Sequence, residues 1–404
     1  MSGTTADEAL AAAHAAYFGR LVGWLFRACG DLQLAEDAVA GAFVAAVPAW
    51  RFGSVPDVPE AWLRVAARNQ LRTALGRRAR AVLVDLDELA ETEAEAPSAS
   101  AVDDRLALLF VCAHPAIDPR MHAPLMLQTV LGVDAARIAT IYLVPAATMG
   151  QRLSRAKAKI RDAGIRFRLP DDGELPARIG PIVQAVYGAY GLADPIGEIV
   201  AQRDVDLRHE AIRLAEVITE VLPDEPEGWG LLSLFLQTES RRAARVVDGM
   251  FVPLDRQDTA LWSPALRQRA DRCLRRALSL GRPGRFQLEA AISAAHSARA
   301  DGVGVDRQAV VTLYRGLLEV APSVGASIGA AGALLHAGDV DGAAAMLDAL
   351  PADAVGAHQP YWICRAEVAA ARGDRLAATA ALDVAIGLTA DPALRRYLLE
   401  RRAG

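Results

Sequence analysis

The chain has 404 residues, of which 52% are hydrophobic, 23% charged and only 5% aromatic, and it carries a net charge of −5. That length suffices for two or three domains with cores of their own, and its weight of alanine, leucine and arginine favours helix. No run of about 18 uncharged apolar residues is present, so no membrane span is expected, and the four scattered cysteines (Cys29, Cys112, Cys273 and Cys364) point away from a disulfide framework and towards a cytoplasmic location.

The overall charge hides a segmental pattern. Residues 1–80 carry a net of +2, residues 81–104 a net of −8 with no basic side chain, residues 105–170 a net of +7, and the remainder a net of −6. Two basic blocks separated by an acidic tether, then a long mildly acidic tail, is a distribution that the function has to explain. The N-terminus has no basic segment ahead of an apolar core, so no secretory signal is expected.

The first block reads as helices. In "DLQLAEDAVAGAFVAAVPAW", Leu34, Ala38, Ala42 and Ala45 form one stripe, Asp31 is a candidate N-cap, and Pro48 is expected to end the helix. The loop "RFGSVPDVPE" follows. The next helix starts near Pro59, and Arg64, Arg68 and Arg72 recur along one of its faces. From Arg64 to Arg80 there are six arginines and no carboxylate, whereas a merely solvated face mixes both signs.

Residues 81–104 are acidic, then rich in Ala, Ser and Pro, and are expected to form a flexible linker. Two apolar helices follow, broken by Pro115 and Pro119. Cys112 and His114 lie close there, but two ligands do not make a metal site, and packing is expected instead.

Next, Asp134 caps a short helix with Ile138, Ala139 and Tyr142 facing inward, and a turn leads to Pro145. In "TMGQRLSRAKAKIR", Met149, Leu153, Ala156 and Ile160 form an apolar stripe at spacings of 4, 3 and 4. Thr148, Gln151, Arg152, Arg155 and Lys159 fall on a different stripe. That partition predicts a helix-turn-helix. Gln151 and Arg152 suit base edges in the major groove, and Lys157, Lys159 and Arg161 suit phosphates.

From about residue 170 the chain reads as helical repeats. Gly338-Asp339 and Gly373-Asp374 are 35 residues apart, close to the period of about 34 of tetratricopeptide helix pairs. The segments 210–236 and 270–298 look like more degenerate pairs, and residues 388–402 would cap the array.

These stretches together resemble an extracytoplasmic-function sigma factor of the sigma-70 family with a long C-terminal helical extension. Residues 31–50 and 59–80 are similar to sigma region 2, residues 131–161 to region 4, and "DDRLALLFVCAHPAI" and "GRPGRFQLEAAISAAHSA" to signatures of the extended group. The resemblance implies an all-α chain: region 2 over 1–80, an acidic linker over 81–104, region 4 over 105–168, and a regulatory, tetratricopeptide-like extension over 169–404.

It also implies a mechanism. Region 2 docks on the β′ clamp helices of RNA polymerase core through Glu36, Asp37 and Phe43. It takes the melted minus-10 strand on Arg51, Phe52, Trp62, Arg64, Arg68, Asn69 and Arg72, by stacking and phosphate contact. Region 4 sits on the β flap and reads the minus-35 duplex through Thr148, Gln151, Arg152, Arg155, Lys157 and Lys159. The partners implied are core polymerase, promoter DNA, and an intramolecular or protein regulator at the C-terminal domain.

This sequence departs from the family where Ala40 and Gly41 replace a common Gln-Glu pair, a mid-helix glycine costing about 0.5–1 kcal/mol relative to alanine. Arg137 stands where an acidic residue is common, and "YGAYG" (Tyr187–Gly191) stands where an "FNEGY"-like stretch is typical. The rival reading is a helix-turn-helix regulator with a repeat sensor acting outside the polymerase, which gives the region-2-like block and the acidic linker no use. No Gly-rich phosphate loop, HExxH or nucleophile elbow is present, so neither an enzyme nor a cofactor is expected.

Overall fold

The computed structural model describes residues 6–78, 104–142, 144–165, 167, 175–192 and 202–403. The acidic linker therefore lies outside the described residues except for Asp104. The described part is almost entirely helical, as the composition requires, and divides into two compact units: residues 1–193 with 201–221, and residues 194–200 with 222–404.

In the first unit, α1 (Ala6–Cys29), α2 (Leu32–Phe52) and α3 (Pro59–Arg78) pack on one another. Leu21, Val22, Leu25, Ala38, Val39, Ala42, Leu63, Ala67 and Leu71 form their core. Gly30, at φ 65°, makes the reversal between α1 and α2. The Asp31 carboxylate accepts from the Leu34 N–H at 3.1 Å and so caps α2.

Pro48 does not end α2, which runs on to Phe52. Both Pro48 and Val44, whose carbonyl loses its helical donor, lie on the solvent side. The extra turn buries Trp50, edge-on to Trp62 with ring centroids 5.9 Å apart. The loop expected from Arg51 accordingly starts at Gly53. By length and apolarity α2 is the one described helix that meets the criterion for crossing a membrane, but its buried face, including Glu36, packs inside this unit.

The same unit continues through α4 (Asp104–Cys112), α5 (Pro119–Thr129), α6 (Ala135–Ile141) and α7 (Ala146–Asp162). Pro119 opens α5 rather than merely breaking the chain, and Asp118 caps it. Cys112 is buried with its Sγ 3.3 Å from the Thr129 hydroxyl; burial pushes its thiol up to about 12. Asp134 caps α6 through the Arg137 N–H, at 2.9 Å. Ile138 and Ala139 face inward, whereas Tyr142 is exposed.

Two further helices, α8 (Leu175–Leu192) and α9 (Gln202–Val221), also belong to this unit. Helix α8 packs on α5, and α9 packs on α8 and α1. The Arg178 guanidinium of α8 donates to the Phe110 carbonyl of α4. The boundary expected at 168/169 is therefore not a boundary between compact units.

The second unit holds α10 (Pro226–Ser240), α11 (Arg242–Arg245), α12 (Pro264–Ser279), α13 (Arg285–Ser297), α14 (Arg307–Val320) and α15 (Val324–His336), then α16 (Val340–Asp348), α17 (Ala352–Val355), α18 (Gln359–Ala371), α19 (Arg375–Leu388) and α20 (Pro392–Ala403). Its one described sheet is the ribbon Val246–Val247 with Met250–Phe251. The pair expected over 210–236 is split, α9 lying in the first unit and α10 in the second.

The two Gly-Asp signals do the same job. Gly338 (φ 94°) and Gly373 (φ 77°) reverse the chain, while Asp339 caps α16 and Asp374 caps α19 through backbone N–H bonds at 2.8 and 3.0 Å. Pairs α15–α16 and α18–α19 are thus built alike, each burying an alanine- and leucine-rich seam.

Candidate nucleic-acid interface

Helix α7 separates its faces as its periodicity requires. Met149, Leu153, Ala156 and Ile160 are buried. Gln151, Arg152, Arg155 and Lys159 are exposed together on the other side, and Thr148 is half-buried at their edge. Four long polar side chains, three of them cationic, thus share a surface on which a nucleic-acid backbone and base edges could lie.

Lys157 departs from the expectation of a phosphate contact. It is 4% exposed and its Nζ donates to Glu36 Oε2 of α2. The signal for this was present: Leu153, Ala156, Lys157 and Ile160 stand at i, i+3, i+4 and i+7, the spacing of one inward face. Reading Lys157 by charge alone put it on the wrong side.

Glu36 departs likewise, because it is buried under Lys157 rather than presented to a partner. Burial pushes its carboxyl above the ordinary range, with Lys157 opposing. Arg161 extends the seam towards Asp31, at 3.6 Å. The seam is incompletely satisfied: Glu36 Oε1 and Gln128 Oε1 have no hydrogen-bond partner within the protein. Both residues line a cleft of about 320 Å³ between α2, α5 and α7.

Phe43, the third residue expected to meet the polymerase, is half-buried among aromatic rings, 5.0 Å from His14 and 6.3 Å from Phe18 between centroids. Asp37 is exposed and accepts from Gln33 at 2.8 Å. The exposed face of α2 instead comprises Asp37, Ala40, Val44 and Val47, at spacings of 3, 4 and 3. Val44 is 71% exposed, and sequence reasoning missed it because attention went to the charged and aromatic residues. Gly41 has its own reason: a Cβ there would stand 3.2 Å from the Gln70 side chain of α3.

Of the residues expected to meet a melted strand, Arg51, Phe52 and Trp62 lie near the α2–α3 turn, whereas Arg68, Asn69 and Arg72 lie further along α3, where Gln70 meets Gly41 in the middle of α2. Phe52 is 90% exposed, a ring free to stack. Arg51, beside it, makes a two-pronged contact with Asp7 at 2.8 and 2.9 Å and holds that carboxyl below its usual range. Trp62 is half-buried against Trp50. The Arg64 guanidinium lies 5.0 Å above the Trp24 ring. Arg68 is half-buried, and Asn69 and Arg72 are exposed. Phe52, Asn69 and Arg72 are therefore exposed at the surface, whereas Trp62 and Arg64 are partly committed to packing.

No group of three or more metal-ligating side chains occurs among the described residues. Residues 14–81 match the family described as Sigma-70 region 2, which implies binding to RNA polymerase core and promoter DNA. Residues 178–278 match a family of unknown function, DUF6596. The chain is 33% identical over 343 residues to "Uncharacterized protein R00370" of Rhizobium meliloti (strain 1021), covering 81% of this chain and 80% of that protein. No solved structure matches.

Proposed function

We propose that this chain, which belongs to the family of the Rhizobium meliloti R00370 protein and carries a sigma-70 region 2, is an alternative sigma factor of the extracytoplasmic-function type. It binds RNA polymerase core in the cytoplasm, reads the minus-35 element with α6 and α7 as a helix-turn-helix, and captures the melted minus-10 strand beside Phe52. It acts by binding, not by chemistry of its own. The observation that carries this reading is the exposed row Gln151, Arg152, Arg155 and Lys159, in the same compact unit as the region 2 match.

The exposed face Asp37–Ala40–Val44–Val47 supplies the surface for the β′ clamp helices, and α7 with its surroundings meets the β flap. The pair Glu36–Lys157 ties α7 to α2 in a resting arrangement, and promoter binding separates the two so that α7 can reach DNA upstream of the melted segment. The tetratricopeptide-like extension regulates that opening, since its first helices α8 and α9 pack on α5 and α1.

Binding to purified core polymerase tests the reading. A 1:1 complex on gel filtration is expected, weakened by Val44→Glu without loss of helicity; failure of the wild-type chain to associate would remove the sigma assignment. Arg152→Ala is expected to weaken promoter selection at the minus-35 element. An equal loss on all sequences would make Arg152 a phosphate contact.

A further inference from the structure

The second unit contains a cavity of about 670 Å³ between α13, α14, α15 and the turn Leu254–Arg256, within the size range of small-molecule sites, about 300–1,000 Å³. Its origin is legible in α15. Gly329, Gly332, Ala333 and His336 fall at spacings of 3, 1 and 3, so one face of that helix offers almost no side-chain volume. A Cβ built at Gly332 would meet nothing within 4 Å, whereas at Gly329 it would collide with the Tyr314 ring. The space at Gly332 is open, and the space at Gly329 is already taken.

The charged and titratable groups around this space are two arginines, two histidines, one carboxylate and the Tyr314 phenol. Arg299 is fixed in the wall, donating to the Leu254 and Gln257 carbonyls beneath the Trp262 ring. Arg307, the first residue of α14, is exposed and makes no ion pair among the described residues. His336 is anchored by Nδ1 to the Gly332 carbonyl at 2.7 Å. His296 is held below its usual range by burial, then by Arg241, His336 and Arg299, with Asp255 opposing. One carboxylate, Asp255, lines the cavity beside two arginines and two histidines. An apolar floor under a cationic rim suits an anion with an apolar body.

We propose that this cavity binds a small organic carboxylate, its apolar body against Gly332 and Ala333 and its carboxylate held by Arg307. The proposal stands apart from the sigma reading, and either can fail without the other.

Isothermal titration of the full-length chain at pH 7 with 2-naphthoate, with 2-naphthamide as the neutral control, tests it. Saturable one-site binding of the acid is expected, with the amide at least about tenfold weaker. Gly332→Leu, whose Cβ meets nothing within 4 Å, projects into the open space and is expected to abolish binding while leaving the melting temperature within a few degrees of the wild type. Arg307→Gln is expected to weaken binding about tenfold with the fold unchanged. The proposal is overturned if the wild-type chain shows no saturable binding of the acid, if the amide binds equally well, or if the Gly332→Leu chain binds like the wild type. Binding of a peptide C-terminus in place of the free acid would also overturn it.

Discussion

The two units are held together by different means. The first adds to its apolar core single, unrepeated polar contacts between helices: Lys157 with Glu36, Arg178 with the Phe110 carbonyl, and Arg161 with Asp31. The pairs α15–α16 and α18–α19 repeat one turn chemistry, bury alanine and leucine, and leave their ion pairs at the surface, as in Arg365–Asp348 and Arg372–Asp341. Repetitive apolar packing gives a scaffold with no single weak point. A seam resting on one buried charge pair, with two polar oxygens unsatisfied, is a place where one substitution or one binding partner decides whether the helices stay together.

Breaking the seam gives the largest expected effect. Lys157→Ala leaves the Glu36 carboxylate buried without its partner and is expected to cost about 3–5 kcal/mol in urea unfolding. The double variant Glu36→Leu with Lys157→Met is expected to recover most of that loss. A loss under about 1 kcal/mol for the single variant would place the pair among solvated ones.

In the second unit the comparable blow falls on apolar volume. Leu347→Ala, at the fully buried seam of α16, is expected to cost about 2–5 kcal/mol. Removing the α16 cap with Asp339→Ala is expected to cost about 1 kcal/mol. Asp348→Ala, which breaks a pair with side chains 61% and 37% exposed, is expected to change stability by about 0–1 kcal/mol. If Asp348→Ala proved as costly as Lys157→Ala, the contrast between the units would disappear.

Alkaline pH loads both units, because burial also pushes the Cys364 thiol of α18 up to about 12. The Cys112 thiol is pushed from 9.0 up to about 12 by burial. A raised folded-state pKa stabilises fully below the unfolded value and is lost as pH rises through the folded one. The melting temperature is therefore expected to fall between pH 9 and 12, and less so in Cys112→Val.

Much of this was legible because the physics is local. Asp31, Asp134, Asp339 and Asp374 cap the helices that their positions announce, and the stripe Met149–Leu153–Ala156–Ile160 is buried as its spacing requires. What was missed depends on contacts distant in sequence. A proline inside a helical pattern predicts a stop at Pro48, yet burial of Trp50 against Trp62 rewards another turn. Glu36 and Lys157 are 121 residues apart, and no local period pairs them. The docking of α8 on α5 and of α9 on α1 is likewise a long-range event, so composition placed the extension's boundary where the fold does not. On α2 and α3, residue type identified Phe52, Asn69 and Arg72, which are exposed. It did not show that Trp62 and Arg64 are partly spent on neighbouring rings.

As the proposed sigma factor, this chain would give core polymerase the ability to open a promoter. Permanganate footprinting of core polymerase with the full-length chain, on a supercoiled template carrying its promoter, measures that opening directly. Reactive thymines confined to the minus-10 region, absent with core alone and diminished by Phe52→Ala, are the predicted result. A template that stays unreactive with the complete chain and core together would contradict the account.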